Sequence, residues 1–111
     1  MSTKSVQEIA SEALLYLSET DELEAQLHTN VERLGYKVKQ TLGAYMLHEE
    51  GTNPVKEAKA RNSDGFKEIV AEELEAIQAH KEVKNKRSTQ TMRFEWARSM
   101  NANRRQGGGN I

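Results

Sequence analysis

Between Leu23 and Tyr45 the apolar side chains Leu23, Leu27, Val31, Leu34, Val38, Leu42 and Tyr45 recur in steps of 4, 4, 3, 4, 4 and 3. Only a helix returns such spacings to one face. The pattern is two eleven-residue repeats, and a period of about 3.67 slightly exceeds the 3.6 of a straight α-helix, so the stripe runs nearly parallel to the axis or drifts gently right-handed. A long straight packing edge is expected. Composition points the same way: 36% of the 111 residues are apolar, 30% are charged, and there is one Pro. So small an apolar share cannot fill a thick globular core, which argues against a broad enzyme cleft and for long solvated helices.

The flanking sequence extends this helix and supplies a partner. Ser5-Val6-Gln7-Glu8 fits a capping box, followed by an apolar stripe of Val6, Ile9, Ala10, Ala13, Leu14 and Leu17. A kink is expected at Ser18 to Asp21, because Ser18 or Thr20 suits a new N-cap. Gly35 and Gly43 each weaken the helix by about 1 kcal/mol relative to Ala, which a close neighbour would offset. The break comes at Glu50-Gly51-Thr52-Asn53-Pro54, where Gly51 suits a left-handed residue, Asn53 an N-cap and Pro54 the first helical position. A second helix follows, with Phe66, Val70, Leu74 and Ile77, then Met92, Trp96 and Met100, and with Ser63-Asp64-Gly65 as a possible bend near its start.

The expected fold is therefore all-α, a long coiled-coil-like antiparallel hairpin in a single domain of residues 1–105. Its helices span about 4–50 and 54–103, and residues 106–111 form a disordered tail. Folding at Thr52 sets Val38 against Phe66, Leu34 against Val70 and Leu27 against Ile77. Two helices cover one stripe each and leave Leu15, Leu47, Ile69, Val83 and Phe94 wet, so a homo-oligomeric bundle is expected.

The net charge of −1 hides an asymmetry. Residues 1–79 carry 8 basic and 15 acidic side chains, and residues 80–111 carry 8 basic against 2 acidic. In the hairpin register the acidic Glu19, Asp21, Glu22 and Glu24 fall beside Lys81, Lys84, Lys86 and Arg87, so part of the asymmetry is explained by the fold.

Specific chemistry is sparse. The chain has no cysteine, hence neither a disulfide nor a thiolate site. His28, His48 and His80 lack the two-histidine helical spacing of metalloproteases. Glu72, Glu73 and Glu75 read as a solvated face, and Gly107 to Gly109 follow no strand and open no helix. No catalytic residue, metal or cofactor is expected. Nor does a secretion signal or an apolar run long enough for a membrane appear.

One segment has chemical character. In residues 91–105 the arginines Arg93, Arg98, Arg104 and Arg105 alternate with Phe94 and Trp96, as nucleic-acid surfaces do when guanidinium groups hold phosphates and rings stack on bases. Trp96, with Met92 and Met100 at i, i+4 and i+8, also reads as core. The candidate nucleic-acid-binding residues are Arg93, Phe94, Arg98, Arg104 and Arg105. This closing segment, together with the long N-terminal helix and the Gly-containing turn, resembles small phage- and prophage-encoded helical proteins found among early genes. The resemblance is densest at Met92 to Arg105 and weaker from Glu50-Gly51 to Ala60. It implies a bacterial-virus origin, a place in the bacterial host's cytoplasm and a neighbourhood of recombination or replication functions, with no catalytic residue carried over.

The expected function is thus that of a non-enzymatic phage accessory protein that assists DNA recombination or replication by binding DNA or a DNA-processing protein. The alternative is an inhibitor of a host defence or DNA-processing protein that works by protein contact through an acidic, DNA-mimicking surface.

Overall fold

The computed structural model describes the backbone of residues 3–109 and the side chains of residues 3–105, and among these residues it is all α-helix and turn. Helix α1 spans Val6–Leu47, α2 spans Asn53–Arg61 and α3 spans Asp64–Gly109. Ser5 caps α1, its Oγ accepting the Glu8 amide at 3.1 Å, and the helix continues unbroken through residues 18–21. The backbone of 106–109, expected to be disordered, is the last turn of α3, while Asn110 and Ile111 lie outside the described residues.

The connection holds a helix of its own. Gly51 has φ +119°, a conformation in which a Cβ is strained. The N-cap of α2 is Thr52 in extended conformation, one residue before the expected Asn53, and Pro54 sits in the first turn, where its missing N–H costs nothing. At the other end Ser63 joins two helices: its hydroxyl donates to the Ala60 carbonyl at 2.6 Å and accepts from the Phe66 amide at 3.3 Å, capping α3. The sequence bend at Ser63 is therefore a full break between α2 and α3.

Two compact units are distinguished, one of residues 25–81 and one of residues 1–24 with 82–111. In the first, α1 and α3 run antiparallel around Leu34, Phe66, Ile69 and Ala76, with Val31, Val38, Leu42, Tyr45 and Val70 packed against them. The expected neighbours Leu34, Val38, Phe66 and Val70 share this cluster, but the register differs. The rings of His28 and His80 meet at a tilt with centroids 5.2 Å apart, and the Glu73 carboxylate lies 3.3 Å from where a Cβ of Gly35 would sit. Both pairs fall four residues, one helical turn, beyond a fold at Thr52, because α2 lengthens the connection. Gly35 thus has the close neighbour expected of it; Gly43 has none within 4 Å. Gly65 is the tightest case, since any Cβ there would overlap the Tyr45 hydroxyl.

The buried stripe of α3 is also a correction. In this unit Phe66, Ile69, Glu73, Ala76 and His80 of α3 are covered, in steps of 3 and 4, as are the expected Val70 and Ile77, while Leu74 is 60% exposed. On α1 the expected Leu27, Val31, Leu34, Val38, Leu42 and Tyr45 are all covered, with Thr41 beside them, and of the expected stripe only Leu23 is exposed. Ile69, expected to stay wet, is 5% exposed.

In the second unit the same spacing appears on Val6, Ile9, Ala13, Tyr16 and Thr20 of α1 and on Val83, Arg87, Gln90, Phe94, Ala97 and Asn101 of α3. Ala13 and Ala97 are fully buried, and their small side chains let the helix backbones approach. Met92, Trp96 and Met100, read from sequence as core, are 63%, 50% and 39% exposed.

Candidate nucleic-acid interface

The basic half of α3 divides into side chains used within the unit and side chains left in solvent. Arg87 stands at a seam position with its side chain only 20% exposed. Its Nη1 donates to the Leu17 carbonyl and to Thr20 Oγ1, both at 2.8 Å, and its Nη2 to Asp21 Oδ1 at 3.2 Å. Thr20 is held for this by its own donation to the Tyr16 carbonyl at 2.7 Å. Among the expected acidic and basic neighbours, Asp21 and Arg87 are thus brought together.

Arg93 is likewise committed. Its Nη1 donates to Gln90 Oε1 at 3.0 Å, and its Nη2 lies 3.7 Å from Glu12 Oε2. That carboxylate also accepts from Lys4 Nζ at 2.8 Å. The Lys4 hydrogen bond, supplemented by the nearby positive charges of Lys4 and Arg93, holds the Glu12 carboxyl below the usual carboxylate range.

Phe94 lies half-buried on the seam between Gln90 and Ala97, so its ring faces α1 and is not offered for stacking. The ring that meets solvent is Trp96, two residues on. At about 100° per residue, Trp96 and Arg98 point roughly 160° apart, so the alternation in sequence does not give one mixed face. Arg98 is 73% exposed, with Glu95 at 3.9 Å. Arg104 and Arg105 are exposed. Coverage of α3 ends at Asn101, and residues 102–105 are all exposed. The structure therefore leaves Arg98, Arg104 and Arg105 in solvent, ties Arg93 to Glu12, and turns Phe94 inward.

The charges of this unit cancel. Residues 1–24 carry Lys4 against six carboxylates, and residues 82–111 carry seven basic side chains against Glu82 and Glu95, an excess of five in each direction. What remains locally positive is the end of α3, beyond the reach of the acidic stretch. Among the described residues no group of three or more potential metal ligands forms, and no helix is long and apolar enough to cross a membrane.

Comparison with known proteins adds no relative. No protein-family model, curated protein or solved structure matches the chain.

Proposed function

We propose that this chain is a non-enzymatic accessory protein of a bacterial virus that assists DNA recombination or replication by gripping DNA phosphates with the end of α3. The observation that carries the reading is the division of the arginines: Arg87 and Arg93 are engaged by α1, whereas Arg98 is exposed on the flank of α3 and Arg104 and Arg105 are exposed beyond Asn101, where coverage by α1 has ended. A helix end carrying guanidinium groups suits phosphate contact, which positions a protein on DNA without reading sequence. The viral setting rests on the resemblance of Met92 to Arg105 to phage early proteins. An inhibitor with a DNA-like acidic surface is less well supported, because the acidic excess of residues 1–24 is matched within its own unit by the basic excess of residues 82–111.

The test is fluorescence anisotropy on labelled single- and double-stranded DNA of mixed sequence at low salt. Replacing Arg98, Arg104 and Arg105 by Ala should abolish binding while the far-ultraviolet circular dichroism and the melt stay as in the parent. Binding that survives the triple replacement would remove the α3 end from the function.

A further inference from the structure

In the unit of residues 1–24 and 82–111 an open groove runs along α1 and α3 in two adjoining stretches that share Thr89. One, of about 310 Å³, is lined by Ile9, Thr89, Met92, Arg93 and Trp96. The other, of about 260 Å³, is lined by Tyr16, Asn85, Lys86, Thr89 and Gln90. An aromatic ring borders each, Trp96 at 50% exposure and the half-buried Tyr16. Neither lining includes a carboxylate, although residues 1–24 carry six, and both include a cation, Arg93 or Lys86. The Glu12 carboxylate that meets Arg93 is itself held by Lys4 at 2.8 Å. From Trp96 the helix leads to the exposed cations of its end. Met100 and Arg104 follow at i+4 and i+8, which puts Arg104 roughly 80° round from Trp96 and about 12 Å along the axis.

We infer that this groove is a base-stacking site for single-stranded DNA, whose bases lie on the Trp96 ring and then on Tyr16 while the end of α3 holds the phosphates. The inference rests on the phosphate-gripping reading of that end. A base has a flat apolar face and a polar edge, and the groove offers both in turn. The stretch at Trp96 brings Ile9, Met92 and an indole to the face. The stretch at Tyr16 adds the amides of Asn85 and Gln90 and the Thr89 hydroxyl for the edge. A wall with cations and no carboxylate also admits a polyanion without repulsion. Arg93 stays with Glu12 and Gln90, so the groove contributes stacking and the α3 end contributes the phosphate contacts. In a duplex the bases are stacked on one another and closed to the ring, so the site selects the single strand.

The experiment titrates a labelled oligothymidylate, or its duplex with oligoadenylate, into the full chain at low salt. It reads anisotropy from the label and emission from Trp96, the single tryptophan. The single strand should bind more tightly than the duplex and quench Trp96 as it binds. Trp96→Leu keeps an apolar side chain without a stacking ring and should weaken single-strand binding by about 5- to 150-fold, the worth of one stacked base. Its salt slope, duplex affinity and helicity should match the parent, and Trp96→Phe should restore most of the loss. Single-strand anisotropy with unchanged Trp96 emission, or Trp96→Leu binding like the parent, overturns the groove and leaves the α3 end in place. Binding to neither form overturns both readings. Trp96 emission that shifts with protein concentration alone and then ignores the oligonucleotide gives the groove to a second copy and likewise overturns the inference.

Discussion

Arg87 shows how a single charged residue can be held inside a helix pair. A guanidinium at a seam position forfeits hydration, and the loss is offset because its planar fork reaches the Leu17 carbonyl, the Thr20 hydroxyl and the Asp21 carboxylate at once. Polar seam residues of this kind fix register, since sliding one helix by a turn would leave them without partners. Arg87→Ala should lower stability by about 1.5–3 kcal/mol, the worth of hydrogen bonds to a charged group. Arg87→Lys should recover little of it, because an ammonium cannot reproduce the fork; urea denaturation of both variants checks the pair. Glu12 provides a pH readout of its unit. Its carboxyl is held below the ordinary range by Lys4 first and Arg93 after, so its contribution is present above that range and fades as pH falls through the lowered value. Glu12→Gln should therefore flatten the acid limb of melting temperature against pH and leave the neutral-to-alkaline limb parallel to the parent.

At the scale of elements, two apolar paths run along α3 and packing takes residues from both. From Phe66 a step of four leads to Val70 and Leu74, and a step of three leads to Ile69, Glu73 and Ala76. Large side chains favour the first path, and Val70 does pack on the core, yet Ile69 and Ala76 are buried while Leu74 is 60% exposed. Leu34→Ala, at a position 4% exposed, should cost about 2–4 kcal/mol by lost burial and a residual cavity. Leu74→Ala should stay within about 0.5 kcal/mol of the parent, as surface substitutions do. Equal losses at both sites in thermal denaturation would put Leu74 back on the seam. On α1 the stripe was legible from sequence because Leu27, Val31, Leu34, Val38, Leu42 and Tyr45 are large side chains that all face α3. On α3 it was hidden, because two helices that coil around each other stay in touch through small and polar residues such as Ala76, His80, Arg87 and Ala97, which a search for large apolar side chains passes over. The hairpin register missed by a turn for a related reason. Gly51 and Pro54 mark a break plainly, but the short helix Asn53–Arg61 behind them has one buried residue, Ala60, and little pattern to announce it. Among the site residues, Arg98, Arg104 and Arg105 were legible as exposed cations. Phe94 and Trp96 exchanged roles because the seam spacing, not hydrophobicity, decides which ring faces α1.

For the molecule as a whole, charge connects structure to function. The sequence places seven basic side chains in residues 82–111, and counted as a polyanion surface they would grip DNA strongly. The geometry assigns Arg87 and Arg93 to α1, leaves Arg98 exposed, and puts Arg104 and Arg105 beyond its coverage. The cationic end of α3 is the surface proposed for phosphates. The salt dependence of DNA affinity counts the phosphates in contact directly, because each one neutralised releases counterions. With three arginines on phosphates at roughly 0.7–0.9 each, log affinity against log salt should fall with a slope of about −2 to −3 per chain. A slope near −5 to −6, as if all seven basic side chains were engaged, or no affinity at low salt, would contradict it.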